Sequence, residues 1–402
     1  MTSINTQCLI VGGGPAGMIA GLLLARAGVE VLVAEQYPDF LRDFRGDTVH
    51  PSTLGLIDEL GYIDEFLELP HHKISTISIA DAQGEAVFAD FSRLPGKFPY
   101  VVFMPQWDLL NFLADKAKKY EDFTLLQSTK ATELIVEDNH VTGARLETER
   151  GIQEVRANLV LACDGRHSTL RESAQLPIAV HEARTEVLWF RISKHANETT
   201  AFVHQGVGFT LICIDRGTYW QIAYVIPQDS FERIEAQGLQ QIRTDVASVL
   251  AVLGDRFAEE ITTWNDLKLL QVRVDRLRKW YRPGLLCIGD AAHAMSPAGG
   301  VGINLAIQDA VATSRILAST LAANRQPSTQ DLAKIQRRRQ WPVRIIQAVQ
   351  TRILSKLYPD NKRDQTNRPL FARMVQRLPI LQGLIARIIG IGLRPEHIST
   401  TT

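Results

Sequence analysis

Near the start of the chain, Gly12-Gly13-Gly14-Pro15-Ala16-Gly17 stands between an apolar run at Gln7–Val11 and a helical pattern that continues to Ala27. Glycines at this spacing let the free N–H groups of a helix start close on an anion that any side chain would keep away. Gly12 suits a tight turn and Gly14 a close approach to a pyrophosphate. Gly17 suits tight packing of helix on strand, and Pro15 and Ala16 begin the helix that faces the phosphates. Glu35 ends a second apolar run, Val29–Glu35, 18 residues after Gly17, where a carboxylate would accept hydrogen bonds from ribose hydroxyls, with Gln36 beside it. The chemistry is dinucleotide binding, with NAD and FAD both open at this point.

Two further motifs favour a flavin. Cys163-Asp164-Gly165-Arg166-His167-Ser168-Thr169-Leu170-Arg171 is a strand that ends in Asp-Gly and turns into a helix. In Cys287-Ile288-Gly289-Asp290-Ala291-Ala292-His293, an apolar strand delivers an aspartate. Ser296-Pro297-Ala298-Gly299-Gly300-Val301-Gly302-Ile303-Asn304 then opens a second helix. Asp290 could bind ribityl hydroxyls, and the helix start at Ile303 and Asn304 could stabilise negative charge on a reduced flavin ring. Nicotinamide enzymes need no such second anion site.

The elements that must position these residues follow from the apolar pattern. Gln7–Val11, the helix to Ala27 and Val29–Glu35 make a parallel βαβ unit. A helix follows Pro51, and another runs from about Gln106 to Lys119. Ile74–Ala80 and Glu85–Ala89 alternate as a hairpin. Residues 131–137, 141–147 and 153–156 form a three-strand meander that leads into a separate buried strand, 159–163. Between 179 and 275 the chain changes to short strands rich in Trp, Phe and Tyr, with one helix around 230–253. The expected fold is α/β: a Rossmann-like FAD-binding domain (1–72, 104–178 and 276–330) discontinuous around an antiparallel-sheet substrate domain (73–103 and 179–275), with a C-terminal helical segment (331–402).

The 402 residues are 45% hydrophobic, enough for a large core, and carry zero formal net charge, so no polyanionic partner is implied. From Lys334 onward, fourteen Lys and Arg face three acids. Cys8, Cys163, Cys213 and Cys287 lie in apolar runs without disulfide or metal spacing, which suggests buried thiols in a reducing, cytoplasmic compartment. No signal peptide or membrane-spanning stretch is read, and no metal site.

In motif order over residues 1–350, the chain resembles the class A flavoprotein monooxygenases, aromatic hydroxylases with the p-hydroxybenzoate hydroxylase fold. The family patterns GxGxxG, DGxxSxxR and GDAAHxxxPxxGxGxN fall on Gly12–Gly17, Asp164–Arg171 and Gly289–Asn304 without a break. The resemblance places Arg45 and Gln106 among the FAD contacts and sets Asp164 against both FAD and the nicotinamide donor. It implies that NADPH or NADH reduces the flavin, that O2 forms a flavin hydroperoxide, and that oxygen passes to an aromatic, quinone-like or polycyclic small molecule. The halogenase members of this fold are an alternative, because Tyr219–Pro227 partly matches their Trp-x-Trp-x-Ile-Pro strand. Both tryptophans are replaced, and no lysine is evident for their catalytic one. An oxygen-independent isoprenoid reductase and a flavin-binding protein without turnover are the others.

His293 and Pro297, in the third motif, and Arg191, an arginine amid an apolar strand, are the catalytic candidates. Arg191, His204 and Tyr224 are the substrate candidates. His293 reads more readily as a loop-fixing hydrogen-bonder than as a proton relay. Residues 371–393 set Arg373, Arg377 and Arg387 among apolar positions. They could lie on an anionic membrane at the inner face, or pack on the protein's own body or a second copy. Arg337-Arg338-Arg339 reads as the solvated face of a long helix, and no aromatic interleaving points to nucleic acid.

Overall fold

The computed structural model describes residues 3–41, 48–181, 185–357 and 370–398. Arg45 lies outside them. Strand Ser3–Val11 sits at the centre of an eight-stranded sheet, parallel to Val31–Ala34 on one side and to Gly151–Ala162 on the other. Phe123–Leu126 extends the parallel set beyond Val31–Ala34, and Leu285–Cys287 runs parallel to the end of Gly151–Ala162. Helices cover these strands, so all four residues of Val31–Ala34 are buried and the sequence there is continuously apolar rather than alternating.

Lys130–Glu137 and His140–Thr148 form the antiparallel meander with the first half of Gly151–Ala162. The separation expected between 153–156 and 159–163 does not exist: one twelve-residue strand pairs antiparallel at its start and parallel at its end. Helix Val301–Ala322 packs on helix Pro15–Arg26, bringing the first and third motifs together.

A seven-stranded sheet holds Thr76–Asp81, Gly84–Asp90, Thr185–Ser193, Val203–Gln205, Thr210–Asp215, Tyr219–Pro227 and Lys268–Gln271. The single helix expected around 230–253 is three, Phe231–Gln237, Leu239–Val249 and Ala251–Glu260. Gly238, at φ 82°, breaks the first junction, and the extended backbone of Leu250 breaks the second.

The C-terminal part consists of helices Thr329–Leu357, Leu370–Arg377 and Pro379–Gly390. The last packs on the protein's own body: Ala386 is fully buried, and a Cβ on Gly390 would sit 3.0 Å from Pro51 and 3.1 Å from Phe91. Met374, Leu378, Ile380 and Leu384 stay exposed. The solvated reading of the arginine run fails at Arg339, which is 1% exposed, because acidic partners distant in sequence surround it. Among the described residues, no helix is long and apolar enough to cross a membrane.

The four cysteines are unpaired, and burial pushes the Cys8 and Cys213 thiols up to about 12 and Cys287 higher still. The native protein is therefore expected to leave these three unreactive toward a thiol reagent at pH 8 for as long as it stays folded. Denaturant should release all of them. Rapid titration of more than one thiol in the native protein would contradict this burial.

Candidate flavin site

At the carboxyl end of Ser3–Val11, Gly12 takes φ +104°, and a Cβ there would lie 2.4 Å from the Cys163 carbonyl oxygen. A Cβ on Gly17 would lie 1.9 Å from the Gly12 carbonyl oxygen, whereas one on Gly14 would meet nothing within 4 Å. The first and third glycines are thus demanded by the protein's own packing, and the second faces open space. Helix Pro15–Arg26 has Pro15 in its first turn and no side-chain cap, so its leading N–H groups and positive end are free for an anion. Glu35 accepts from Gly13 N at 2.7 Å and Tyr37 N at 3.1 Å. These bonds fix its carboxylate beside the glycine turn. Gln36 follows, exposed.

Helix Val301–Ala322 begins in the same way. Gly300 caps it in the left-handed conformation, no side chain caps it, and Gly299 precedes it at φ 78°. The leading N–H groups of Val301, Gly302 and Ile303 form a second open helix end, on a helix that packs against the first. Pro297 is exposed at the loop's start, and Asp290 lies 3.5 Å from Arg166 of the second motif. Asn304 is buried, its side-chain oxygen accepting from Ser52 at 2.6 Å and Thr53 at 3.2 Å. It clamps the Pro51 helix to the loop.

Asp164 accepts from Ser168 Oγ at 2.5 Å and Leu170 N at 3.1 Å, and burial raises its pKa against these bonds. Its carboxylate thus folds the second motif's turn. Arg171 is buried and bridges the second and third motifs through the Arg166 and Ala291 carbonyls and Asp275. His293 is also buried. Its Nε2 donates to Asp309 at 2.5 Å, and its ring lies 5.0 Å from that of Trp280. Asp309 also accepts from Gly289 N at 3.2 Å and Arg339 Nε at 2.9 Å. Burial opposes its ionisation, but its interactions with His293 and Arg339 hold it below the usual carboxylate range. This environment fits loop fixing by His293.

Sequence reasoning missed two residues that hold the Gly300 turn, His50 and Thr48, and one half-buried carboxylate elsewhere, Asp108. His50 Nε2 donates to the Gly300 carbonyl at 3.1 Å, and burial lowers its pKa to about 4, so it stays neutral at pH 7. Thr48 Oγ1 donates to the same carbonyl at 3.2 Å. Asp108, in the first turn of helix Gln106–Ala117, is held above the usual range by burial, opposed by the charge of Arg216, which itself donates to Gln221 at 3.0 Å. Gln106 opens that helix, half-buried. None of the three follows a motif, though a polar residue just before a Pro-led helix, as at His50, was a usable signal.

The substrate candidates separate in space. Leu188, Tyr224, Leu211 and His204 pair in one row across the second sheet. Leu188, Leu211 and Tyr224 share a core with Ile234, Val246 and Phe257 of the helical layer. Tyr224 stacks on Phe209 and donates to Asp245 at 2.5 Å, while His204 Nε2 lies 2.6 Å from Thr200 Oγ1. The opposite face, with Trp189 and Ile212, packs with Phe202 and Phe103 beside strand Val101–Phe103. That face is the one away from Tyr224 and His204. Arg191 is exposed, its guanidinium 5.3 Å from the centre of the Tyr219 ring, and it does not join His293 in the buried loop.

Comparison with known proteins gives the family and the fold. The family model described as FAD binding domain matches residues 5–348. A 6-methylpretetramide 4-monooxygenase of Streptomyces rimosus is 29% identical, over 96% of this chain and 92% of its own length. A para-nitrophenol 4-monooxygenase of a Pseudomonas species is 25% identical, over 82% of each. Among solved structures, the anhydrotetracycline hydroxylase OxyS of Streptomyces rimosus superposes with TM-score 0.75 at 19% identity, covering 96% of this chain and 76% of its own. The flavin-dependent brominase Bmp2 gives 0.79 at 16%, covering 98% and 94%. At such identities the structures speak for the fold.

Proposed function

The chain belongs to the FAD binding domain family, as an FAD-dependent aromatic monooxygenase, and from that premise we propose that NADPH or NADH supplies its electrons and O2 its oxygen. The substrate is an apolar aromatic, quinone-like or polycyclic small molecule. The observation that carries this reading is the pair of uncapped helix starts, at Gly14 and Gly300, on two helices packed together. One suits a pyrophosphate and the other the ring of the same cofactor.

FAD, when bound, supplies the redox and oxygen chemistry. The chain's residues do the rest. The open helix start at Gly14, Pro15 and Ala16, shaped by Gly12 and Gly17, would hold the pyrophosphate, and Glu35 and Gln36 would take the adenosine ribose. Asp290 would take ribityl hydroxyls, with Arg166 beside it. The N–H groups at Gly302 and Ile303 would stabilise negative charge at the ring. Named relatives acting on a nitrophenol and a pretetramide support the aromatic class. Buried thiols are compatible with a reducing cytoplasm.

Purified protein is expected to be yellow, to be reduced by NADPH or NADH, and to consume O2 faster when a phenolic or polycyclic compound is added. Asp290→Ala should raise the FAD dissociation constant about tenfold, the loss of one hydrogen bond to a charged group. Full FAD affinity in that variant would remove Asp290 from the site. Halide-dependent product formation without turnover of any ring compound to a hydroxylated product would favour the halogenase reading.

A further inference from the structure

Glu396 is 1% exposed, although it lies on the irregular chain that follows the last helix. Burying a carboxylate there costs free energy unless cations hold it. Three do: Arg338 Nε at 2.5 Å, Arg315 Nη2 at 3.0 Å and Arg339 Nη1 at 3.3 Å. The Glu396 backbone N–H also donates to the side chain of Gln308, and the Arg394 carbonyl accepts from Arg339 Nη1 at 2.9 Å.

The other edge of the Arg339 guanidinium meets Asp309, whose second oxygen takes His293 Nε2 and Gly289 N. A continuous run of charges therefore joins the chain's last segment to the loop that carries Asp290. The segment is fastened at both ends to the helix after Pro51. Ser52 Oγ lies 3.0 Å from the Gly390 carbonyl while also bonding Asn304, and Glu59 accepts from Ile398 N at 2.7 Å and pairs with His397 at 2.6 Å.

We propose that Gly390–Ile398 is a strap that positions the flavin loop, with Glu396 and Arg339 as positioning residues acting through Asp309 on Gly289 and His293. This rests on the reading of that loop as the flavin site. Without the Glu396 charge, Arg315, Arg338 and Arg339 repel one another, Arg339 loses its second anchor, and the hold of Asp309 on the loop slackens.

The test compares wild type with Glu396→Gln, an uncharged isostere, in the full chain. Amide hydrogen exchange is followed with and without FAD, in peptides covering 285–304 and, for reference, 210–227 of the second sheet. FAD dissociation is measured by flavin fluorescence. The expected result is about tenfold faster exchange at 285–304, an unchanged reference, and an FAD dissociation constant raised about tenfold. Glu396→Asp should restore part of both. Faster exchange confined to 388–398 with unchanged FAD affinity would overturn the proposal, as would an equal rise in the reference peptide, which marks a general loss of stability. If Glu396→Gln does not fold, Arg315→Gln removes one partner of the same carboxylate and should give about a threefold effect in the same peptides. A wild-type protein that binds no FAD would remove the flavin reading instead, while exchange in the FAD-free proteins would still decide whether the strap holds the loop.

Discussion

Gly12→Ala is expected to yield protein without bound flavin, and apoprotein that unfolds more easily, whereas Gly14→Ala should lose flavin alone. Gly12 holds φ +104° with the Cys163 carbonyl oxygen 2.4 Å from where a Cβ would go. A non-glycine residue in that backbone region costs roughly 1–3 kcal/mol, and overpacking against immobile backbone costs roughly 1–3 kcal/mol more. Part falls on the fold and part on the turn's shape, so FAD affinity should drop by about 100-fold or more. At Gly14 the Cβ meets no protein atom within 4 Å, so stability should stay within about 0.5 kcal/mol of wild type. FAD affinity should still fall about tenfold, because the methyl group occupies the approach of the phosphates. Denaturant unfolding of the two apoproteins, with flavin absorbance of the purified samples, checks the contrast. Equal stability loss in both variants would mean that the turn is not divided between packing and ligand in this way.

The second large effect is expected at Arg339. Arg339→Ala removes the guanidinium between Asp309 and Glu396, both fully or almost fully buried. Breaking a buried pair on one side typically costs 3–5 kcal/mol. Here a loss of about 3 kcal/mol is expected at pH 7, the low end, since His293, Arg315 and Arg338 still face the two carboxylates. The pH dependence has a defined sign. Asp309 is held below the usual carboxylate range, so its stabilisation is present above the unfolded value of about 3.9 and is lost as pH falls through the lower folded value. In the variant Asp309 lacks the Arg339 charge that helped to lower it, so it takes up its proton at higher pH, which relieves the under-compensated charge. The gap between variant and wild type should therefore narrow from pH 7 to pH 4. A variant that unfolds at the wild-type denaturant midpoint at pH 7 would show that Arg339 carries no such load.

Local pattern carried much of the architecture. The buried parallel strands read as unbroken apolar runs, and the three motifs lie at strand ends, where backbone geometry restricts residue choice over a few positions. What stayed hidden depends on contacts between distant residues. Arg339 looked solvated because its neighbours are arginines, yet Asp309 lies 30 residues before it and Glu396 57 after it. Tyr224 and His204 show the alternation of a strand correctly, but period two does not say which face meets the helical layer and which packs with Phe103 and Phe202. The break at Gly238 was available from the residue itself and was outweighed by the apolar periodicity around it.

The wall behind the glycine turn bears on how the protein folds. Ser3 pairs with Glu154 and Val160 with Leu285, and Val11 receives Cys163 N at 2.7 Å. The turn that reads most plainly as a self-contained signature therefore has no completed shape until segments far along the chain have closed on it. Contacts between segments so far apart in the chain form slowly. A fragment ending before residue 150 would contain every glycine of the motif and still lack the Cys163 carbonyl that shapes Gly12. FAD capture is therefore expected late in folding, with the edge of the first strand unpaired in the interval.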